Sequence, residues 1–342
     1  MTLLQELCEI PKGLLNLPAP ELESVLGGPT LIHLEGARET PLFVSVLLHG
    51  NEDVGWEAIR QLLNRCHDGD RYDLPRSLSL FIGNVSAAAQ GLRRLPGQPD
   101  YNRVWPGSET ASTAEHEVMA QVVESMRQRG VFASVDMHNN TGINPHYACV
   151  NVLDHRYFHL ATLFSRTVVY FIRPRGVQSQ AMAKLCPAVT LECGKVGQAA
   201  GVEHARDYLD ACLHLAEFPA HPVAGQDMDL FHTVAQVKLP EGLSFSVSDR
   251  DAQLLLSPEL DRLNFRELEA GAPLARVRPD CQVCLDVRDE QGRDVSERYF
   301  EVRDGELCFR VPVMPSMLTL NEQVIRQDCL CYLMERYNDH VP

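Results

Sequence analysis

Apolar runs and helical periods alternate through the first two-thirds of the chain. Residues 41–48 (PLFVSVLL) form an apolar run of the kind found in strands buried on both faces. Residues 54–66 follow with helical spacing, which puts Trp56, Ile59, Leu62 and Leu63 on one face. Residues 77–82 give a second strand run. Ser112-Thr113-Ala114-Glu115 has the spacing of a capping box and predicts a helix to about Arg129, with Gly130 as its stop. Further strand runs occupy 131–137, 147–152, 167–172 and 187–191, and residues 201–217 read as a helix. Strands alternating with helices predict an α/β domain with a mostly parallel sheet.

The texture changes near Pro219-Ala220-His221-Pro222. Beyond it come short strand-like runs at 233–239, 243–247, 281–287 and 306–313. Turn signals at Glu290-Gln291-Gly292 and Asp304-Gly305 separate them. The expected organisation is an α/β domain over residues 1–220 and a smaller, mainly β domain over 221–342. A length of 342 residues suits two such domains.

Charge narrows the function. Lys and Arg number 31 against 46 Asp and Glu, a net charge of −15. Such a surface repels phosphate backbones, so a nucleic-acid partner is not expected. The cleanest apolar run, 41–48, is far too short to span a bilayer, so no membrane partner is expected either. The first residues carry Glu6, Glu9 and Pro11 where a leader would be basic and then apolar, and a cytoplasmic location is expected. The 11 cysteines then read mostly as small buried apolar residues. Cys281 and Cys284 form a CxxC, but the alternating run 281–287 reads as a strand. Residues three apart on a strand face opposite sides, which disfavours a shared metal.

Three strand runs end in chemistry. The first ends in Leu48-His49-Gly50-Asn51-Glu52, the second in Asp136-Met137-His138-Asn139-Asn140, and the third in Val189-Thr190-Leu191-Glu192. Sites in open α/β sheets form beyond the carboxyl ends of the strands, so these side chains should converge. A lone HxxE is common by chance, and a histidine at a strand end is more often a hydrogen-bonded surface residue. The coincidence of three ends is what favours a metal. His49, Glu52 and His138 would give a hydrolytic zinc three protein ligands and an open position. Such a metal acidifies water and polarises a carbonyl. Glu192 could take the water's proton and pass it to a leaving amine. Asp136, two residues before His138, would share its face and accept from its ring. Cys193 should face away from the site into the core.

These segments resemble the motifs of the succinylglutamate desuccinylase/aspartoacylase family, a branch of the zinc carboxypeptidase superfamily. Residues 48–52 resemble its first metal motif, Asp136-Met137-His138-Asn139-Asn140-Thr141-Gly142 its second, and Thr190-Leu191-Glu192-Cys193-Gly194 the segment with the catalytic glutamate. Asp100-Tyr101-Asn102-Arg103, followed by Trp105-Pro106-Gly107, resembles the segment that binds the substrate carboxylate. Asn84 stands in the place of a Gly-Asn-Pro turn, with Val85 replacing the proline.

The resemblance implies a mixed, mostly parallel sheet flanked by helices, with a smaller mainly β C-terminal domain. It implies that His49, Glu52 and His138 hold one zinc ion per chain and that Glu192 is the general acid/base. Asn102 and Arg103 would grip the carboxylate of a small-molecule substrate. Arg94, eight residues before Asn102, stands nearest to a further family arginine, with Arg93 beside it. Arg173 and Arg175 are candidates for the arginine that precedes the family's catalytic glutamate, and Tyr299 for its C-terminal-domain tyrosine. His146 leads into the 147–152 strand or contacts substrate or a second metal. The activity implied is hydrolysis of an N-acyl amino acid or a related small amide. A carboxypeptidase acting on peptides or peptidoglycan fragments would use the same metal and carboxylate grip. A non-catalytic metal-binding carboxylate sensor is the alternative of another class, and it would have no use for Glu192. The zinc, Arg103 and Arg94 would form a positive crevice in an acidic shell. The sequence leaves the oligomeric state open, homo-oligomers included.

Overall fold

The computed structural model describes residues 4–68 and 71–337. The chain divides into two compact units. Of the described residues, the first takes those up to Asn139 together with His146–Asp229, and the second takes Asn140–Pro145 together with 230–337.

The first unit is a mixed α/β unit built on one mostly parallel sheet. Its strands are β1 (Gln5–Leu7), β2 (Thr30–Leu34), β3 (Leu42–Val46), β6 (Leu78–Ile82), β7 (Ala133–Asn140), β8 (Tyr147–Val150), β9 (Thr167–Tyr170) and β10 (Ala188–Lys195). A short hairpin, β4 (His67–Asp68) with β5 (Arg71–Tyr72), stands apart from that sheet. Within this unit the order is β1-β2-β6-β3-β7-β10-β8-β9. Strand β3 runs parallel to both β6 and β7, β2 is antiparallel to β6, and β8 is antiparallel to β10. The helices are α1 (Glu23–Leu26), α2 (Val54–Arg65), α3 (Val85–Ala88), α4 (Ala114–Arg129), α5 (His155–Thr162), α6 (Gln178–Met182) and α7 (Ala199–His214). Helix α2 packs on α7 and β3, α7 on β10, and α5 on β8 and β10. The β3 side chains Leu42, Phe43, Val44 and Val46 are wholly buried, as their apolar run requires. The predicted face of α2 is also buried, with Trp56, Ile59, Leu62 and Leu63 all in the core.

Two boundaries differ from expectation in a way that matters. Strands β7 and β10 continue past their apolar runs to Asn140 and Lys195, so His138 and Glu192 lie inside strands rather than beyond their ends. Polar side chains interrupt the hydrophobic pattern there without interrupting the backbone ladder. The capping box of α4 is shifted by one residue. Thr113 is the cap, and His116 fills the place expected of Glu115, its Nδ1 lying 3.0 Å from the Thr113 N–H. An imidazole nitrogen accepts there as a carboxylate would.

The second unit is β-rich. Strand β11 (Asp229–Lys238) pairs antiparallel with β15 (Asp286–Asp289) and with β19 (Cys331–Arg336), and β19 pairs with β18 (Met314–Ser316). A second sheet runs β12 (Phe245–Ser246), β13 (Leu254–Leu256), β14 (Pro273–Val277), β17 (Glu306–Phe309) and β16 (Phe300–Arg303). Leu254, Val287, Phe309, Leu330 and Leu333 lie in its core. Tyr299 lies there too, on the short helix α8 (Ser296–Tyr299), with the Arg298 guanidinium over its ring. The strand expected at 281–287 is corrected: residues 281–285 are irregular and only β15 is extended. Alternation there reflects a loop with Cys284 exposed. Asn140–Pro145 is tied into this unit by Asn264, whose Nδ2 donates to Ile143 O at 3.0 Å, and by Asn144, whose Oδ1 accepts from Met317 N at 3.2 Å. Gly142 faces the Leu318 carbonyl so closely that a Cβ would lie 1.9 Å from its oxygen. Among the described residues no helix is long and apolar enough to cross a membrane.

Candidate functional site

The turn after β3 builds the first part of the site. Leu47 takes a positive φ of 56°, which breaks the strand and turns the chain toward His49. The turn is held by Asn84 N to Leu47 O and by Gly50 N to Arg93 O. Gly50 is steric necessity: a Cβ there would lie 2.2 Å from Ala88 N and 2.4 Å from Ala87 C. Glu52 N then closes on His49 O, and α2 starts two residues later. His49 and Glu52 are thereby presented together.

Strand β7 brings His138 to the same place. The Nδ1 atoms of His49 and His138 lie 2.9 and 2.7 Å from the two Glu52 oxygens. One ligand atom from each of the three residues lies within 4.8 Å of the others, and all three side chains are buried. Each imidazole is backed on its far nitrogen by an aspartate. His49 Nε2 is 3.0 Å from Asp100 Oδ1, and His138 Nε2 is 2.9 Å from Asp136 Oδ2. Aspartate behind histidine fixes the ring and its tautomer, which is the arrangement metal-ligating histidines use. Two imidazole nitrogens and a carboxylate oxygen suit a hydrolytic zinc. The donor set therefore fits the metal that the motif spacing implied.

The protonation pattern agrees with that. Burial works against the charge on His138, but Asp136 and Glu52 outweigh it and hold its pKa well above 6.5. Burial would raise Glu52, but His49 and His138 hold it far below the ordinary carboxylate range. The His138 proton that faces Glu52 thus sits where a cation could replace it. Asp100 is likewise held well below its ordinary 3.8, against its burial, by His49, Arg93 and Arg103.

Glu192 is different. It is buried on β10, its Oε2 has no hydrogen-bond partner among the described residues, and burial pushes its pKa up to about 8. It lies within electrostatic reach of His138, Glu52, Arg93 and Asp136. A buried carboxyl that titrates near neutrality is suited to proton transfer.

The anion-binding candidates separate. Arg93, not Arg94, reaches the cluster: its guanidinium lies 3.4 Å from Glu52 and 3.1 Å from Asp100. Arg94 donates to Gln98 O within its own loop. Arg103 donates to Asn102 O and acts electrostatically on Asp100. Asn102 is committed within the protein, its Oδ1 accepting from Gln178 N at 3.0 Å and its Nδ2 lying 3.5 Å from Asp136 and 3.2 Å from His138. Arg173 and Arg175 both pair with Glu109 on the surface. His146 is half-buried and stacked on His204, with ring centroids 5.0 Å apart.

Two residues had no assigned role in the sequence. Asp100 backs His49, and its place two residues before Asn102 in the quoted segment was the available signal. Asn139 joins three segments: its N–H reaches Glu52, its Oδ1 accepts from Val54 N, and its Nδ2 donates to Gly194 O beyond Glu192. Its position next to His138 gave no hint of that span.

The model of the succinylglutamate desuccinylase/aspartoacylase catalytic domain matches residues 40–215. Among solved structures, succinylglutamate desuccinylase from Chromobacterium violaceum is 16% identical, with 89% of this chain and 87% of that one covered and a TM-score of 0.57. A succinylglutamate desuccinylase/aspartoacylase from Rhodobacter sphaeroides is 15% identical, with 89% and 88% covered and a TM-score of 0.57. Murine aminoacylase 3 is 16% identical, with 88% and 96% covered and a TM-score of 0.55. At such identities the likeness establishes the fold. No curated protein matches the chain by sequence.

Proposed function

Because the chain belongs to the succinylglutamate desuccinylase/aspartoacylase family, we propose that it is a zinc-dependent hydrolase cleaving the amide bond of an N-acyl amino acid or a related small carboxylate-bearing amide. The observation that carries this is the buried His49–Glu52–His138 cluster with the buried carboxyl of Glu192, whose Oε2 has no hydrogen-bond partner among the described residues, in its field. Bound by those three residues, zinc would supply a Lewis acid that polarises the scissile carbonyl and acidifies water. Glu192 moves the proton, accepting it from the attacking water and returning it to the leaving nitrogen. Asp136 and Asp100 hold the two ligand rings. Arg103 offers a planar fork for the substrate carboxylate. Arg93 braces Glu52 and Asp100, and Asn102 braces Asp136. The acidic surface does not oppose an anionic substrate, since the site carries its own cations.

The test is metal analysis of the purified protein with assays over N-acyl amino acids and short peptides. Stoichiometric zinc, turnover of acyl amino acids and loss of turnover in Glu192→Gln are expected. Full activity in His49→Ala or His138→Ala would overturn the zinc assignment. Preferential cleavage of peptides would instead identify a carboxypeptidase, and tight binding without product would identify a sensor.

A further inference from the structure

We propose that Ser45 is a positioning residue for this centre, its hydroxyl fixing Asp136 and, through Asp136, the ring of His138. The inference rests on the metal reading above and extends it one residue further from the metal. Ser45 is the one polar residue of β3, between Val44 and Val46, and it has no solvent exposure. A hydroxyl in such a place is unfavourable unless it is hydrogen-bonded, and an alanine or valine would otherwise serve the strand better.

Its partner explains it. In the parallel pairing of β3 with β7, Ser45 stands in register with Asp136, and its Oγ donates to Asp136 Oδ1 at 2.6 Å. That is a short, charge-assisted bond to a carboxylate that is itself wholly buried. With Oδ1 tied to β3, the carboxylate cannot rotate freely, and Oδ2 stays 2.9 Å from His138 Nε2. The far nitrogen of the ring is thereby held on Asp136, and Nδ1 is kept facing Glu52, the side on which a cation bound by both would sit.

The other ligand ring is built by the same logic with different parts. Asp100 backs His49 and is itself held by Arg93 and by the Asn102 N–H at 2.8 Å. Each imidazole has its aspartate and each aspartate has an anchor, Asp100 within its own loop and Asp136 on the neighbouring strand. For Asp136 the chief anchor is the neutral Ser45 hydroxyl, since Asn102 Nδ2 stands at 3.5 Å.

The experiment measures the zinc dissociation constant of the full-length protein by chelator competition for wild type, Ser45→Ala, Ser45→Cys and Ser45→Thr. Urea unfolding of the metal-free proteins is measured alongside. Ser45→Ala should bind zinc about 10- to 100-fold more weakly. Ser45→Cys, of the same shape with a larger atom and a poor donor, should resemble Ser45→Ala, and Ser45→Thr should recover most of the affinity. A merely structural serine would change the unfolding midpoint and leave zinc affinity within about twofold of wild type, and that result overturns the proposal. If Ser45→Ala does not fold, equal affinities in the Cys and Thr variants overturn it. A wild-type protein that binds no zinc overturns the metal reading and this inference together, whereas normal wild-type binding with unchanged variants overturns this inference alone.

Discussion

Replacing Glu192 by Gln should stabilise the metal-free protein while abolishing turnover, and the stabilisation should grow with pH. In the unfolded chain the carboxyl releases its proton near 4.5, whereas burial in the fold retains it until about 8. The folded state therefore binds more protons between those values, and stability falls as pH rises through that window. Each pH unit costs about 1.4 kcal/mol, so the wild type forgoes about 1 kcal/mol at pH 5 and about 3 kcal/mol at pH 7. Glutamine keeps the shape and never ionises, so this loss disappears. One polar atom remains without a partner in both proteins, and that cost largely cancels. The assay is urea denaturation of chelator-treated wild type and Glu192→Gln from about pH 5 to about pH 8. Other titrating groups, His138 included, are common to both, so the difference isolates position 192. A stability difference that stays flat across that range would refute the reasoning, because it would mean that Glu192 ionises as easily in the fold as outside it.

Other expectations follow from single contacts. Gly50→Ala would drive a Cβ into the backbone of Ala87 and Ala88. It should cost at least about 3 kcal/mol in urea unfolding and release zinc, since the clash displaces the turn carrying His49 and Glu52. Thr113→Ala should cost about 1 kcal/mol through the lost cap of α4 and leave zinc affinity unchanged. Zinc at about a thousand times its dissociation constant should add about 4 kcal/mol to wild-type stability, read as a raised thermal midpoint. His138→Ala should lose that increment.

The parts of this fold legible in sequence are those where burial dictates pattern. The run at 41–48 and the face of α2 are core because apolar side chains dominate both, Ser45 being the one polar exception in the run. Strand β2 escaped notice because His33 interrupts it. In the fold that imidazole is satisfied on both sides, by Glu6 at 2.7 Å and by Ser79 at 2.9 Å, so it can sit inside a sheet. The same effect hid the true ends of β7 and β10, where His138 and Glu192 break the apolar pattern but not the ladder. The choice between Arg93 and Arg94 could not be read from spacing. It depends on which guanidinium the loop turns inward, and that is set by Gly50 N bonding to Arg93 O and by Asp100. Asn102 looked like a free polar group in a carboxylate-binding segment. Its amide is engaged by Gln178, 76 residues away, and only the tertiary structure shows that partner.

The short excursion Asn140–Pro145 bears on how the protein is made. These six residues belong to the second unit, yet they leave the ribosome long before Asn264 and Met317, which hold them. During synthesis the segment following His138 and Asn139 must wait without those partners until nearly the whole chain has emerged. A fragment ending at Asp229 would carry this segment without Asn264 and Met317, and one starting at Leu230 would lack the piece that Gly142 seats against Leu318. A cut in the gene between Asp229 and Leu230 therefore parts Asn140–Pro145 from the residues that hold it, in a segment that begins two residues after His138.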